Sequence, residues 1–198
     1  FDDGIKRLAR VVNVEARQLE LIEELDDNVE LPIQVTIASG FPKGDKLEFI
    51  TQKVTELGAS QIWAFPADWS VAKWDGKKLG KKVEKLEKIA LGAAEQSKRN
   101  LVPNITLFEK KADFLAQLEQ FDRIVVAYEE SAKEGEAAAL LQSLTGLEAG
   151  SKLLLIFGPE GGLSPAEIES FTAKGAVLAG LGPRILRAET APLYALSA

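Results

Sequence analysis

The feature that most constrains the fold is an uninterrupted apolar run at residues 153–157. A run without polar alternation is typical of a strand that is buried on both faces of a parallel sheet. It ends at the turn GPEGG, residues 158–162, after which Ser164 and Glu167 have the spacing of a capping box that begins a helix. A buried strand followed by a turn and a helix predicts an α/β fold.

A second unit of the same kind follows directly. The short apolar run at residues 176–181 also stops at a Gly-Pro pair, Gly182 and Pro183. In open α/β sheets, ligands bind beyond the carboxyl ends of strands, and glycine lets a ligand approach the backbone closely. We therefore predict one ligand site built from both turns. The simpler alternative is two tight connections, because neither turn has the spacing of a P-loop or of a dinucleotide fingerprint.

The rest of the chain alternates strands with helices. Strands are predicted at residues 33–38, 61–65, 105–108 and 123–128, and helices at residues 45–57, 77–96, 113–121 and 137–144. Asp45 is placed to cap the first helix, and Trp69 lies in a loop where its ring can be exposed. This order predicts a parallel sheet with helices on its faces.

The N-terminal residues follow a different pattern. Residues 1–31 show partial alternation with a turn near residues 15–17, which predicts a β-hairpin, and Leu31-Pro32 marks a boundary. Two strands are marginally stable alone. We therefore expect residues 1–31 to be the end of a small barrel domain that starts earlier, and residues 32–198 to form the main domain.

Composition narrows the chemistry that this chain can perform. The 198 residues are 46% hydrophobic and 27% charged, as is typical of a globular protein, and we expect neither a membrane span nor a signal peptide. With no cysteine and no histidine, thiolate chemistry is excluded, and the usual general base and zinc ligand are missing. We expect a cytoplasmic protein without a metal.

A basic stripe stands out against a net charge of -6. That charge argues against a protein that coats nucleic acid indiscriminately. The helix predicted at residues 77–96, however, carries lysines on one face, among them Lys78, Lys81 and Lys82, with Lys98 just beyond its end. We predict that these lysines bind RNA at a defined place, and the alternative is a solvated helix face.

Four blocks of sequence carry a family resemblance. They are KGDK at residues 43–46 with QKVTELG at 52–58, AAEQSKR at 93–99 with Val102-Pro103, IFGPEGG at 156–162, and LGPRILRAETA at 181–191. Together they resemble the RsmE family of 16S ribosomal RNA uridine-N3 methyltransferases, in the SPOUT superfamily, from residue 33 to the end. The middle residue of Ser-Lys-Arg at 97–99 is a variable position in that pattern.

The resemblance implies a fold and an activity that the patterns alone did not give. It implies a SPOUT-type α/β domain with a C-terminal trefoil knot at about residues 151–198, preceded by the remnant of a PUA-like RNA-binding barrel. It implies methylation of N3 of one uridine in 16S rRNA, within the small ribosomal subunit, by a homodimer with its sites at the subunit interface. The methyl donor would be S-adenosylmethionine.

The resemblance also implies which loops hold the cofactor. They are the loop at residues 128–130 and the two Gly-Pro turns with the residues that follow them. The predicted cofactor residues are Tyr128, Phe157, Gly158, Pro159, Gly161, Gly162, Leu181, Gly182, Pro183, Ile185, Leu186 and Ala191.

Transfer of a methyl group to uracil N3 requires removal of a weakly acidic imide proton, by a base or with a cation that stabilises the anion. We predict Arg99 and Glu160 as the catalytic residues, with Glu95 and Glu189 as alternative bases. Arg184 and Arg187 are predicted to bind RNA through phosphate or to stabilise a developing oxyanion. The alternatives are an interface ion pair for these two arginines and a helix cap for Glu189.

Two other functions remain open from the sequence. One keeps the scaffold and the cofactor but methylates another target, such as a tRNA ribose 2′-oxygen. The other is a non-catalytic RNA-binding protein of ribosome assembly.

Overall fold

A computed structural model describes residues 5–128 and 139–198. In this part of the chain the strands form a two-stranded and a six-stranded sheet. The strands are β1 (Lys6–Asn13), β2 (Gln18–Leu25), β3 (Gln34–Gly40), β4 (Gln61–Phe65), β5 (Asn104–Leu107), β6 (Arg123–Ala127), β7 (Lys152–Phe157) and β8 (Val177–Ala179). The larger sheet has the order β5-β4-β3-β7-β6-β8, and all of its paired strands are parallel.

Along the chain, each strand of the larger sheet is followed by a helix. The helices are α1 (Lys46–Glu56), α2 (Gly76–Gln96), α3 (Lys111–Ala116), α4 (Ala139–Leu144), α5 (Pro165–Thr172) and α6 (Ala191–Leu196), with a 3-10 turn at Leu118–Gln120. The predicted parallel sheet flanked by helices is therefore confirmed. The helix predicted at residues 113–121 is wrong in extent, because the structure has α3 and the separate 3-10 turn there. The predicted residues 137 and 138 of the fourth helix lie outside the described residues.

The position of strand β7 explains its uninterrupted apolar sequence. It lies between β3 and β6, and all of its residues from Leu153 to Phe157 are buried. Leu154 and Ile156 pack on one face of the sheet with Phe114 of α3 and Phe171 of α5. Leu153, Leu155 and Phe157 pack on the other face with residues of α1, α4 and α6. Because side chains alternate along a strand, only a strand covered on both faces requires every residue to be apolar.

The helix starts depend on local caps. At α5 the predicted capping box is present: the Glu167 N–H donates to Ser164 Oγ (3.2 Å), and the Ser164 N–H donates to Glu167 Oε2 (2.9 Å). At α2 the Asp75 carboxylate accepts from the Lys78 N–H (3.0 Å). The predicted capping by the side chain of Asp45 is wrong, because its carboxylate makes no capping hydrogen bond at α1.

The predicted N-terminal hairpin is also confirmed. Strands β1 and β2 pair antiparallel around a turn at residues 14–17, where Arg17 has a φ of +50°. Most residues of the hairpin are exposed, including the apolar Val11 and Leu19 of the strands and Val14 of the turn. The assignment of residues 1–31 to a larger barrel stays a prediction.

Arg99 connects the segment after the hairpin to the sheet. Its side chain is only 3% exposed, and its guanidinium forms an ion pair with Glu30. The same guanidinium donates to the backbone carbonyls of Thr55 (3.1 Å) and Ala59 (2.6 Å) at the end of α1. A cation that binds the free carbonyls of a helix C-terminus stabilises that end. Arg99 therefore fastens residues 27–31, α1 and the start of β4 together.

Glu30 completes this buried contact from the other side. Its carboxylate accepts from the backbone N–H groups of Asn100 (2.8 Å) and Leu101 (3.1 Å). Burial would raise the pKa of Glu30, but the hydrogen bond and charge of Arg99 and the two N–H groups together hold it below the ordinary value. The carboxylate is thus charged at neutral pH and fully engaged by the protein.

We expect Arg99→Met to lower the free energy of unfolding by about 1–3 kcal/mol, because it leaves the half-buried carboxylate of Glu30 without its charged partner. Urea denaturation measures this change. The matched control is Lys53→Met, which removes the half-buried pair of Lys53 with Glu56 (2.8 Å), three residues apart on α1, and should cost about 0.2–0.5 kcal/mol. Equal effects of the two substitutions would contradict a structural role for Arg99.

The same contact should make stability depend on pH. Since the pKa of Glu30 is lower in the folded protein, its contribution is present above the ordinary carboxyl pKa and is lost as the pH falls through the folded pKa. Glu30→Gln should remove this part of the acid dependence, as measured by urea denaturation across the acid range.

Candidate functional site

A cleft lies at the carboxyl edge of the parallel sheet, where the two Gly-Pro turns meet. Its volume is about 750 Å³, within the range of about 300–1,000 Å³ that is usual for small-molecule sites. The sheet order changes direction between β3 and β7, because β4 and β5 continue outward on one side of β3 while β7, β6 and β8 lie on the other. Ligands of open α/β sheets bind at such a switch point.

The predicted cofactor residues converge on this cleft. All of them except Pro183 line it. They are Tyr128, Phe157, Gly158, Pro159, Gly161, Gly162, Leu181, Gly182, Ile185, Leu186 and Ala191. Pro183 is exposed beside it. Glu129 and Glu130, the other residues of the predicted loop after β6, lie outside the described residues.

Glycines allow the turn after β7 to fold tightly. A Cβ on Gly158 would lie 2.8 Å from the backbone carbon of Gly162, and Gly162 has a φ of +78°. The Gly162 N–H donates to the Pro159 carbonyl (2.8 Å). Across the sheet, a Cβ on Gly40 at the end of β3 would lie 2.5 Å from Pro159 Cδ. Close approach of backbone to backbone therefore defines the floor of the cleft.

An ion triad joins three of the loops around the cleft. Lys46 Nζ at the start of α1 lies 2.9 Å from Glu160 Oε1 and 3.1 Å from Glu189 Oε2. The Glu189 oxygen is at ion-pair distance, although the angle is not that of a hydrogen bond. Glu160 also accepts from the backbone N–H of Lys43 (3.1 Å). The turn after β7 and the loop after β8 are thus both fastened to the start of α1.

The triad keeps its acidic members ionised. Burial would raise the pKa of Glu160, but the hydrogen bond from Lys46 and the backbone N–H groups lower it below the ordinary value. Burial would also raise the pKa of Glu189, but the hydrogen bond from the Glu189 backbone N–H and the Lys46 ammonium together lower this pKa below the ordinary value. The two carboxylates, Glu160 first, raise the pKa of Lys46.

A second polar network fixes the loop after β4 against α5. The Asp68 N–H donates to Glu167 Oε1 (2.9 Å), and its carboxylate accepts from Ser164 Oγ (2.5 Å) and forms an ion pair with Lys111. The hydrogen bond from Lys111 lowers the pKa of Asp68. This network holds the following residue, Trp69, at the rim of the cleft.

The structure does not bring Arg99 to the cleft. Arg99 lies at the amino edge of the sheet, and its guanidinium is taken up by Glu30 and by the end of α1. Its predicted catalytic role is therefore corrected to a structural one. Glu95, near the end of α2, is exposed at the same distant edge, whereas Glu160 lines the cleft and Glu189 reaches Lys46 beside it.

The predicted RNA-binding residues fall into two groups. Arg184 and Arg187 are exposed and line the cleft. Lys78 and Lys81 are exposed in the first turns of α2, which begins on the cleft side of the sheet because it follows the loop after β4.

Two of the predicted lysines fit the RNA-binding prediction less well. Lys82 is partly used by the fold, with Nζ 4.3 Å from the ring centre of Trp74 and 3.9 Å from Glu48. Lys98 lies at the other end of α2, about 30 Å away by helix length.

Several residues of the cleft were missed by the sequence analysis. They are Lys46, Trp69, Ala127, Leu163, Pro165 and Ala188. Lys46 belongs to the block at residues 43–46, and Trp69 is an aromatic residue in a predicted loop, so both carry a signal in the sequence. The small and apolar residues of the cleft that were missed carry no signal in the sequence, because nothing there distinguishes them from core residues.

Comparisons with known proteins agree with this geometry. A sequence model described as an RNA methyltransferase domain matches residues 29–198. The ribosomal RNA small subunit methyltransferase E of Bacillus subtilis is 56% identical over 178 residues, which cover 90% of this chain and 70% of that protein. The chain belongs to this family. The resemblance to RsmE proteins is thereby confirmed.

Solved structures extend the likeness from sequence to fold. The ribosomal RNA small subunit methyltransferase E of Neisseria gonorrhoeae, solved with bound S-adenosylmethionine, is 26% identical with a TM-score of 0.76, and the match covers 99% of this chain and 78% of that one. A crystal structure of a protein without an assigned function is 48% identical with a TM-score of 0.91, with the same coverage of 99% and 78%. The fold of this family member is therefore that of known methyltransferases.

The glycine turn of this family member can be tested directly. Gly158→Ala should lower the free energy of unfolding by about 1–3 kcal/mol, because the new Cβ meets backbone that cannot move aside. Gly80→Ala is the control: no heavy atom lies within 4 Å of its Cβ position, and alanine in the second turn of α2 should stabilise by about 0.5–1 kcal/mol. Urea denaturation of both variants measures the difference. A neutral Gly158→Ala would mean that the turn tolerates a side chain.

Proposed function

We propose that this protein methylates N3 of a specific uridine in 16S rRNA, within the small ribosomal subunit, using S-adenosylmethionine. The observation that carries the proposal is the cleft at the carboxyl edge of the sheet, built from the residues of two family blocks. Its relatives are named as small-subunit ribosomal RNA methyltransferases, and one of them has been solved with S-adenosylmethionine bound.

The residues of the cleft fit this cofactor. The turn at residues 158–162 presents backbone and not side chain to the cleft at Gly158, because a Cβ there would meet the backbone of Gly162. Gly182, with a φ of +89°, does the same after β8, and Phe157, Leu181 and Leu186 supply apolar wall. When bound, S-adenosylmethionine supplies an electrophilic methyl group on a sulfonium. The protein's task is to place the uracil nitrogen in line with it and to remove the imide proton.

Glu160 is the carboxylate best placed to accept that proton. It lines the cleft and is ionised, while the chain contains no histidine to serve instead. A carboxylate with a lowered pKa is a weak base, so positioning must provide most of the rate enhancement. Arg184 and Arg187, which are exposed and line the cleft, can offset the negative charge of a deprotonated uracil, whereas the charge of Lys46 is already paired with two carboxylates.

The function itself is tested on small ribosomal subunits from a strain that lacks the enzyme. After incubation with the protein and S-adenosylmethionine, nucleoside analysis of the 16S rRNA should show 3-methyluridine. A 2′-O-methylated nucleoside would move the target to a ribose. Absence of any methylation, with cofactor binding intact, would favour the non-catalytic alternative.

We expect Glu160→Gln to lower the single-turnover methylation rate by about 10²–10⁴-fold, since it removes the proton acceptor and keeps the shape of the side chain. Cofactor affinity, measured by calorimetry, should stay within a few-fold of wild type. The matched control is Glu48→Gln. Glu48 lies on α1, as Lys46 does, and pairs with Lys85 of α2 (2.9 Å), but it does not line the cleft. A wild-type rate for Glu160→Gln would assign the proton to another acceptor.

RNA is expected to cross the cleft side of the molecule, from Arg184 and Arg187 toward the start of α2. Replacing both Lys78 and Lys81 by Ala should weaken RNA binding and reduce the slope of log K against log salt by about 2, because each lysine that contacts phosphate contributes about one unit. The control is Lys98→Ala with Lys152→Ala, the same change of charge at the amino edge. Equal losses of slope in the two variants would show a net-charge effect and remove the surface from the proposal.

Finer features belong to the same proposal. They are a trefoil knot at about residues 151–198, a homodimer with its sites at the subunit interface, and a cytoplasmic location. Exposed apolar side chains beside the cleft, Ile185 and Tyr194, support the homodimer.

The family match beginning at residue 29 supports a boundary near residues 31 and 32, with the preceding residues as the end of a PUA-like barrel. Within residues 5–128 and 139–198, no helix combines the length and the apolarity needed to cross a bilayer.

A further inference from the structure

The three tryptophans of this chain differ in what surrounds them. Trp63 is 4% exposed and packs edge-on against Phe108 with ring centres 5.1 Å apart. Trp74 packs against Phe41 at 4.3 Å and has the Lys82 ammonium over its ring. Trp69 is 49% exposed, lines the cleft, and has no aromatic or cationic partner for its ring among the described residues. Its large flat side chain is therefore available to a ligand.

The backbone that carries Trp69 is held in place on both sides. Asp68, just before it, is bound by Glu167, Ser164 and Lys111. Just after it, the Ser70 N–H donates to the Ala67 carbonyl (3.0 Å). An aromatic ring on a fixed loop loses little conformational entropy when a ligand covers it.

The glycine turn after β7 makes room for this residue. A Cβ on Gly161 would lie 3.0 Å from Trp69 Cβ and 3.2 Å from its carbonyl oxygen. A Cβ on Gly162 would lie 3.9 Å from the ring atom Cζ3. The ring edge therefore lies over the turn that forms the floor of the cleft, whose lining also includes Glu160.

The remaining groups at the rim indicate what kind of ligand covers the ring. Arg184 and Arg187 are exposed and line the same cleft. An aromatic face beside exposed cations is typical of sites for unpaired nucleotides, where the base stacks and the phosphates bind the charges. A uridine that is modified at N3 must be unpaired, because N3 lies on its Watson–Crick edge, and its face is then free.

We infer that Trp69 is a positioning residue whose ring stacks on the unpaired target uracil and presents its N3 edge to the cleft. This inference rests on the proposed function, since it takes the substrate to be a uridine of RNA. It adds a residue that holds the base, distinct from the turns that hold the cofactor and from Glu160, which accepts the proton.

The test compares Trp69→Ala, Trp69→Leu and Trp69→Phe with the wild-type protein, on small ribosomal subunits that lack the modification. Loss of a stacking surface should lower kcat/KM by about 10- to 100-fold in the Ala and Leu variants, mainly through KM. Phe should restore it to within about three-fold, because a planar ring and not apolar volume is required. Val71→Ala is the matched control, since Val71 is 66% exposed on the same loop and does not line the cleft.

Two further measurements separate stacking from other roles. Calorimetry with S-adenosylmethionine should give the wild-type affinity for all three Trp69 variants, and a matching loss of cofactor affinity would overturn the inference in favour of a cofactor wall. Oligouridylate should quench the tryptophan fluorescence of the wild type more than that of Trp69→Phe. Equal quenching, or a Leu variant as active as Phe, would also overturn it.

Failure of the proposed function gives a different pattern. If the wild type methylates subunits and Trp69→Ala has normal kcat/KM, the stacking role is wrong and the proposed function stands. If the wild type does not methylate them, the proposed function fails, and the fluorescence comparison alone decides whether Trp69 binds an unpaired base.

Discussion

The cleft depends on the close approach of two backbones, at Gly40 and Pro159. Gly40 ends β3 and Pro159 follows β7, and these neighbouring strands are paired as far as Ser39 and Phe157. Because Gly40 has no side chain, the turn after β7 can lie directly across the end of β3. That position brings Glu160 to the N–H of Lys43 and to the ammonium of Lys46. One missing Cβ thus determines which charges meet at the site.

Around this contact, ion pairs between side chains hold the loops in place, and they leave Trp69, Arg184 and Arg187 exposed at the cleft. The Asp68 network fixes the loop after β4 from behind, and Trp69 remains open at the rim. The Lys46 triad fixes the loops after β7 and β8, while Arg184 and Arg187 stay exposed. A site whose loops are already held by ion pairs and hydrogen bonds is preorganised, so that ligand binding does not have to order these loops. The same polar groups explain why loops that carry few core residues nevertheless hold a defined shape.

Sequence reasoning succeeded where the determining interactions are local. The capping box of Ser164 and Glu167 spans three residues, and the buried run of β7 depends only on its own composition, so both were predicted correctly. It failed for Arg99, because the partner that explains its burial, Glu30, is 69 residues away in sequence. The resemblance to a family did not help there, since a shared motif does not say whether a residue binds substrate or holds the fold. Lys46 and Trp69 had visible signals, but only the folded chain shows that both reach the cleft.

The carboxyl edge of the sheet forms the cleft, the amino edge holds the contacts of Arg99, and α2 runs from one edge to the other. Its first turns, with Lys78 and Lys81, lie on the side where the strands end and the cleft opens. Its last turn leads to Arg99, which binds the end of α1 and the segment before β3. The block at residues 93–99 therefore supplies contacts within the fold at the amino edge, whereas the blocks at 156–162 and 181–191 supply the lining of the cleft. Parallel strands impose this division, because all of their carboxyl ends, and with them the loops that can meet around a ligand, lie at one edge.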